Sequence, residues 1–476
     1  MNQHRTSIQR RNSTVSLLLG SNWKQNFWLW GLPLVFFLGA FALALITLHA
    51  DAAVADGKLS LPRWAISGGT GEVQTVLSVV AGASISVLTL VFSSALVVLT
   101  LAASQFGSFL LHDFMRMRIS RLTLSMFVAT FVYTLLILTR VGGGSSNSFV
   151  PAISAKVAVL MTFISVALLI GFIYGISISV QAQQVAALVA GGLRRAIAER
   201  QRANAAEGGA GTLGDPIPAA LIEATQRLDS DGAPVIASRS GYLQAVNFQR
   251  LVHAAAHADG VVRLAYRPGQ FVLEGSTLAT VWPAELADAA FAGEVRAAHI
   301  SGTQRTLQQD LEFAIDKLVQ IALLALSSAI NNTFNALICI DWLADGLRML
   351  AEYPCDWLVY HDAKGVIRII TRPLTLPAII VAAFSRIRYA SGGNPTVVIH
   401  LVRTIAALAP FLTRPEQREA LAAQADDAME TALNTLTLES DRSVVLRYYD
   451  QACKALGKPG HQAHTTRSAI TPTAMP

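Results

Sequence analysis

His253 and His257 lie four residues apart in a stretch with a helical pattern, a spacing at which two imidazoles can share a metal ion. Asp259 is the one acidic or cysteine partner close by, so the pair is expected on a solvated helix face. Gly68-Gly69-Thr70-Gly71 has the small residues of a phosphate-cradling loop but not the lysine that would reach the phosphates. Asp310 and Asp316 are a possible acid–base pair. Carboxylates so placed more often cap helices or pair with cations, here Arg305 and Lys317. The best candidate polar cluster is Arg305, Gln309, Asp310 and Asn331. A helix beginning near 307 would set Arg305 and Gln309 on neighbouring turns, in a functional cluster or in a network tying two core helices together. No nucleophile elbow, zinc-protease helix or kinase set occurs. The expectation is a protein that is not an enzyme, with no catalytic, cofactor-binding or metal site and no cofactor.

A different chemistry is written in residues 73–111, which carry no charge. At 100° per residue, Thr75, Ser78, Gly82, Ser86, Thr89, Ser93, Thr100 and Ser104 fall within a sector of about 80°. Small and hydroxyl residues let helices approach closely in lipid, so Ser78, Gly82, Ser86, Thr89 and Ser93 suit a packing stripe. They equally suit the wet wall of a pore, with Leu96 and Val97, which interrupt the stripe, as a hydrophobic constriction. Gly171, Gly175 and Ser179 repeat at intervals of four and predict a packing face.

These residues need elements to hold them, and composition says which. Of 476 residues, 53% are hydrophobic and 14% charged, well under the roughly 25% charged of soluble domains. Charge is scarce before Arg194 and ordinary after it, which implies two physical environments. Four stretches are long enough to cross a bilayer, at about 27–48, 77–101, 122–140 and 157–180. Trp23, Trp28 and Trp30 mark an aromatic belt at the first, and no acidic or basic residue falls mid-span. That absence argues against an ion-coupled pump. Residues 1–26 carry Arg5, Arg10, Arg11 and Lys24 and read as an uncleaved cytoplasmic arm. Arg116, Arg118 and Arg121 follow span two, and Arg194, Arg195, Arg200 and Arg202 follow span four. All three basic clusters fall on one side, so both termini are expected in the cytoplasm. A net charge of +6 concentrated beside apolar stretches fits membrane flanks, and a nucleic-acid partner is not expected.

The uncharged run 318–340 is crowded by Gln320, Ser327, Ser328, Asn331, Asn332, Thr333 and Asn335, too polar for hydrocarbon. It predicts two buried helices of a soluble core meeting at Asn331 and Asn332, with Asn332 as N-cap of the second. The fold class expected is an α-helical membrane domain of four spans followed by an α+β, mainly helical, cytoplasmic domain. Its parts are a basic helix and linker (181–232), a small α/β unit (233–300), a mainly helical domain (301–456) and a disordered tail (457–476). A hairpin is expected at 356–370, turning at Asp362-Ala363-Lys364-Gly365. Cys339, Cys355 and Cys453 match no disulfide or metal framework, which suits a reducing compartment.

The segment from Arg267 to Leu278 resembles the glycine-punctuated turns of lipoyl-like barrels, without a lysine to modify. The stretches Arg305-Thr306-Leu307-Gln308-Gln309-Asp310-Leu311-Glu312-Phe313 and Ala325-Leu326-Ser327-Ser328-Ala329-Ile330-Asn331-Asn332 resemble the signature of bacterial predicted membrane proteins known as domain of unknown function 2254. Gly241-Tyr242-Leu243-Gln244, Ser104-Gln105-Phe106 and Phe127–Tyr133 fit the same family in the same order. The resemblance, over roughly 20–440, implies an inner-membrane protein with four spans and a cytoplasmic domain, and brings no activity with it. This chain has Ser328, Asn332 and Thr333 where the family usually has proline, aspartate and proline. The leading functional expectation is an oligomeric passive channel or pore with a cytoplasmic assembly or sensing domain. The alternative is a membrane-anchored signalling or scaffold protein. The expected partners are the lipid bilayer and other copies of the chain, with no evident small-molecule substrate.

Overall fold

A computed structural model describes residues 31–54, 69–106, 118–141, 150–179, 182–207, 210–211, 219–307, 309–352, 357–371 and 374–458. The arm 1–26, the three early tryptophans, Arg116, Gly68, Cys355 and nearly all of the tail expected to be disordered lie outside the described residues. The chain divides into two compact units, Met1–Gln181 and Ala182–Pro476.

Among its described residues the first unit holds four helices long and apolar enough to cross a membrane. They are α1 (Gly31–Val54), α2 (Thr70–Phe106), α3 (Arg118–Leu138) and α4 (Ala152–Ser179). Ala40 and Ala44 of α1, Leu77 of α2, Tyr133 and Ile137 of α3 and Ala158 of α4 meet in its core. Gly171 and Gly175 of α4 give room to Ile119 of α3, so the expected packing face is used within the unit.

The helix ends differ by several residues from the sequence reading, and two of the differences matter. Helix α1 continues past 48 to Val54, which puts Asp51 inside a helix and not in a loop. Helix α2 is 37 residues long, about 55 Å at 1.5 Å per residue against about 30 Å of hydrocarbon. Its N-terminal part packs into the bundle through Val73, Leu77, Val80, Ala81, Ser84 and Val91, and none of its described side chains beyond Val91 is buried.

The second unit opens with α5 (Ala182–Glu207), strand β1 (Ala210–Gly211) and α6 (Ala219–Asp231). Next come β2 (Ala233–Ile236), β3 (Gly241–Val246), α7 (Phe248–His257), β4 (Val261–Leu264), β5 (Phe271–Val272), β6 (Thr277–Trp282), α8 (Ala289–Ala298) and β7 (His299–Gly302). Helices α9 (Leu311–Leu326) and α10 (Thr333–Glu352), strands β8 (Trp357–His361) and β9 (Ile367–Thr371), and helices α11 (Leu376–Ala390), α12 (Pro395–Leu408), α13 (Pro415–Thr435) and α14 (Glu439–Leu456) complete it. Local chemistry sets the ends. Asn247, Asp288 and Asn394 each accept a backbone N–H at a helix start. Pro395 and Pro415 occupy first helical turns, and Gly457 at φ +71° closes α14.

The run 318–340 resolves as expected. Helices α9 and α10 are separate and meet through Ser327–Asn332, and the Asn332 side chain accepts from Asn335 N at 3.3 Å. The expected α/β unit at 233–300 is not closed on itself. Its strands share a six-stranded sheet, ordered β1-β8-β9-β4-β6-β2, with the downstream hairpin β8–β9. Strand β9 pairs parallel to β4, and every other pairing in the sheet is antiparallel. A second sheet runs β5-β3-β7. Gly269 (φ +98°) and Gly275 (φ +81°) supply the expected turns. The core between sheets and helices contains Leu243, Leu251, Val262, Val281, Val295 and Ile369.

Candidate functional site

Strand β5 is preceded by the turn Arg267-Pro268-Gly269, and α9 begins with Asp310 as its N-cap, accepting from Phe313 N at 3.0 Å. The turn lies directly on that cap: a Cβ at Gly269 would collide with the Asp310 carboxylate. Arg305 approaches the same carboxylate two-pronged, Nε to Oδ2 at 2.7 Å and Nη2 to Oδ1 at 3.0 Å. Its third nitrogen reaches Asp316 Oδ2 at 2.7 Å, and Arg386 reaches the other Asp316 oxygen at 3.5 Å. Arg267 pairs with Glu312 at 2.7 Å. Phe313 has the Arg305 guanidinium 5.0 Å from its ring centre and the Lys317 ammonium at 4.8 Å.

Burial tunes the pair. It raises Asp310 above the usual carboxylate range, and the bonds from Arg305 only partly offset this. Burial lowers Arg305, but Asp310 and then Asp316 outweigh it and hold the guanidinium above its ordinary value. Asp310 is 2% exposed and its oxygens already accept three bonds. Such a cluster fixes the start of α9 and leaves little unspent hydrogen-bonding capacity for a substrate.

The four residues of the expected cluster do not all meet. The helix begins at Leu311, so Arg305 and Gln309 do not occupy its turns. Gln309 instead bonds the backbone of β3, its Oε1 accepting from Val246 N at 2.9 Å and its Nε2 donating to Val246 O at 3.2 Å. Asn331 lies beyond the opposite end of α9, exposed, in a left-handed turn at φ +45°. Asp316 pairs with Arg305 and Arg386. Sequence reasoning did not connect Arg267, Gly269 or Glu312 to Asp310. The glycine next to proline in the turn was the available signal.

His253 and His257 are exposed on α7. Cys339 is buried and its thiol is pushed up to about 12, which removes it as a nucleophile. Cys453 is buried and free as well.

In the first unit, Ser78, Gly82, Ser86, Thr89 and Ser93 all lie on the exposed side of α2. Leu96 and Val97 are 49% and 68% exposed. The buried hydroxyls belong mainly to α3 and its neighbours. Thr123, Ser125, Thr130, Thr134, Ser154 and Ser165 are at most 1% exposed. Thr130 and Ser165 share a hydrogen bond of 3.0 Å. Tyr133 donates to Ser154 O at 3.1 Å and lies 2.9 Å from Thr47 Oγ1. Asp51, absent from the expected spans, is buried in α1 and caps α4 from outside it. Its carboxylate accepts from Ile153 N (2.8 Å), Ser154 N (3.0 Å) and Ser154 Oγ (2.6 Å). The missed signal was periodic: Thr123, Thr130 and Thr134 fall within about 40° of one another on a helix.

The chain is similar to known proteins along nearly all of its length. An uncharacterized protein of Mycobacterium tuberculosis is 26% identical over 463 residues, spanning 95% of this chain and 84% of the relative. An uncharacterized protein of Mycobacterium bovis matches to the same extent. No solved structure matches the chain. A family model described as "Predicted membrane protein (DUF2254)" matches residues 25–407, most of the chain. Four apolar helices, the signature around Asp310 and this match lead to one conclusion: the chain belongs to the DUF2254 family of predicted membrane proteins.

Proposed function

We propose that this is an oligomeric inner-membrane protein that forms or gates a passive pathway, its termini and second unit in the cytoplasm, the latter as an assembly or sensing module. The observation that carries the reading is the placement of Ser78, Gly82, Ser86, Thr89 and Ser93 on the side of α2 turned away from its own bundle. A water-lined path bordered by these residues runs between copies of the chain and not through one copy. The length of α2 supports the same reading, because its part beyond Val91 has no buried side chain among the described residues. Neighbouring copies would cover it and bring Leu96 and Val97 together as a constriction that closes by dewetting. Asp51 does not supply a coupling charge, since its oxygens are committed to the start of α4. We assign no catalytic role, cofactor or nucleic-acid partner.

One observation favours the scaffold alternative. Ser86 donates to Gly82 O at 2.8 Å and Thr89 to Ile85 O at 2.9 Å. Hydroxyls satisfied by their own helix need no water and can face another helix dry. Ion flux through purified protein in liposomes separates the two. Flux blocked by Ser86→Leu and Ser93→Leu, in protein that still assembles, supports a pathway lined by α2. No flux under any voltage, tension or salt condition overturns it in favour of a scaffold.

A further inference from the structure

Helices α10 and α12 leave a recess of about 340 Å³ between them, within the range of small-ligand sites. Asp341, Ala344, Asp345 and Arg348 face it from α10, and Arg403, Thr404, Ala407 and Leu408 from α12, with Phe411 at one end. Ala344 and Ala407 create the space, since longer side chains there would fill it.

The charges around it are not equivalent. Asp345 is matched by Arg194 at 2.7 Å, and Arg348 is paired with Glu352 while lying 5.9 Å from the Phe411 ring centre. Arg403 has no carboxylate partner among the described residues. It donates through Nη2 to His400 Nδ1 at 2.9 Å, and His400 Nε2 meets Asp341 Oδ1 at 2.7 Å. An imidazole nitrogen that accepts from a guanidinium is unprotonated, so His400 carries its proton on Nε2 and donates it to Asp341. The buried imidazole thus aims an exposed guanidinium whose other N–H groups have no partner among the described residues. Aimed charge beside an apolar wall of Ala344, Ala407, Leu408 and Phe411 is the chemistry that holds an anion with an apolar body.

We propose that this recess binds a small organic anion, a carboxylate or phosphate monoester carrying an apolar or aromatic group, with Arg403 as the primary contact. The site gives a ligand class to the sensing role proposed for this unit, yet equilibrium binding is independent of any flux. Titration calorimetry on the full chain in detergent, with benzoate and phenyl phosphate as probes and benzylamine and benzyl alcohol as controls, tests it. Saturable binding of either anion, absent for both controls, is expected. Arg403→Gln, which removes the charge, and Ala407→Leu, which fills the space at an exposed helix position, should each weaken it by about tenfold or more. No saturable binding of either anion, equal binding of the controls, or binding that both variants leave unchanged would overturn the proposal. Benzoate and phenyl phosphate curves, compared with inorganic phosphate, distinguish which anionic group the site takes.

Discussion

The two units handle polar groups in opposite ways. In the first, many hydroxyls bond within their own helix: Thr130 and Thr162 donate to carbonyls four residues back, as do Ser86 and Thr89 on the outer face. In the second, the decisive bonds span the chain. Arg267 reaches Glu312, Gln309 reaches Val246, and Arg368 reaches Asp259. Hydrocarbon offers no water to an unpaired group, so a membrane helix tends to solve the problem locally. A domain with charged side chains can solve it by joining distant segments. Disrupting a polar residue should therefore be costly wherever it ties segments together, and cheap wherever it bonds only its own helix.

The largest effect is expected at Arg305. Arg305→Met leaves Asp310 buried without its cation, and should destabilise the second unit by about 3–5 kcal/mol in chemical denaturation. Gly269→Ala should fall in the same direction, because it combines a strained φ with a collision at Asp310. A stable Arg305→Met protein would break the comparison, since the carboxylate on which the distant Gly269 turn rests would then need no cation.

Asp51 is the charged tie in the first unit, between α1 and α4, and so it sharpens the rule. Asp51→Ala strands two backbone N–H groups at the start of α4 and should cost about 1–3 kcal/mol in detergent unfolding. By contrast, Ser86→Leu should leave the stability of a single chain within about 0.5 kcal/mol and act on assembly or flux alone.

Acid gives an intermediate effect confined to the second unit. Burial holds His299 below the ordinary imidazole range, against a weaker opposing pull from Val295 O, to which Nδ1 donates. The folded state therefore stays neutral where the unfolded chain takes up a proton, below about pH 6.5. Stability should fall as pH drops through that value, by at most about 1.4 kcal/mol per unit until the lower folded pKa is reached. His299→Phe should flatten that slope in pH-dependent melts, whereas an unaltered slope would remove His299 from the account.

The smallest effect is a matched pair in the membrane helices. Thr130→Val loses the link to Ser165 and should cost about 0.6 kcal/mol, whereas Thr89→Val should be near neutral. Equal losses at both positions would mean that the outer face is as tightly packed as the inner one.

Span count and fold class were legible because hydrocarbon imposes a length and a composition that a single sequence displays directly. The break at Asn331–Asn332 was legible for the same local reason: a polar cluster and a cap in an apolar run. Facing was not. The stripe of α2 has the pattern of an interface, yet periodicity says only that residues share a side, not which neighbour that side meets. The buried line on α3 and the outward stripe on α2 carry similar residue types, and only packing told them apart. The polar cluster was half legible. Arg305 and Asp310 are five residues apart and could be paired by eye, while Gln309 turned to a strand 63 residues away. Sequence by itself determined the elements and their caps, because those depend on interactions within a few residues. Tertiary structure decided that Gly269 must yield to Asp310, that Asp51 caps a helix about a hundred residues on, and that His400 aims Arg403. Each depends on which distant segments the burial of apolar surface brings together.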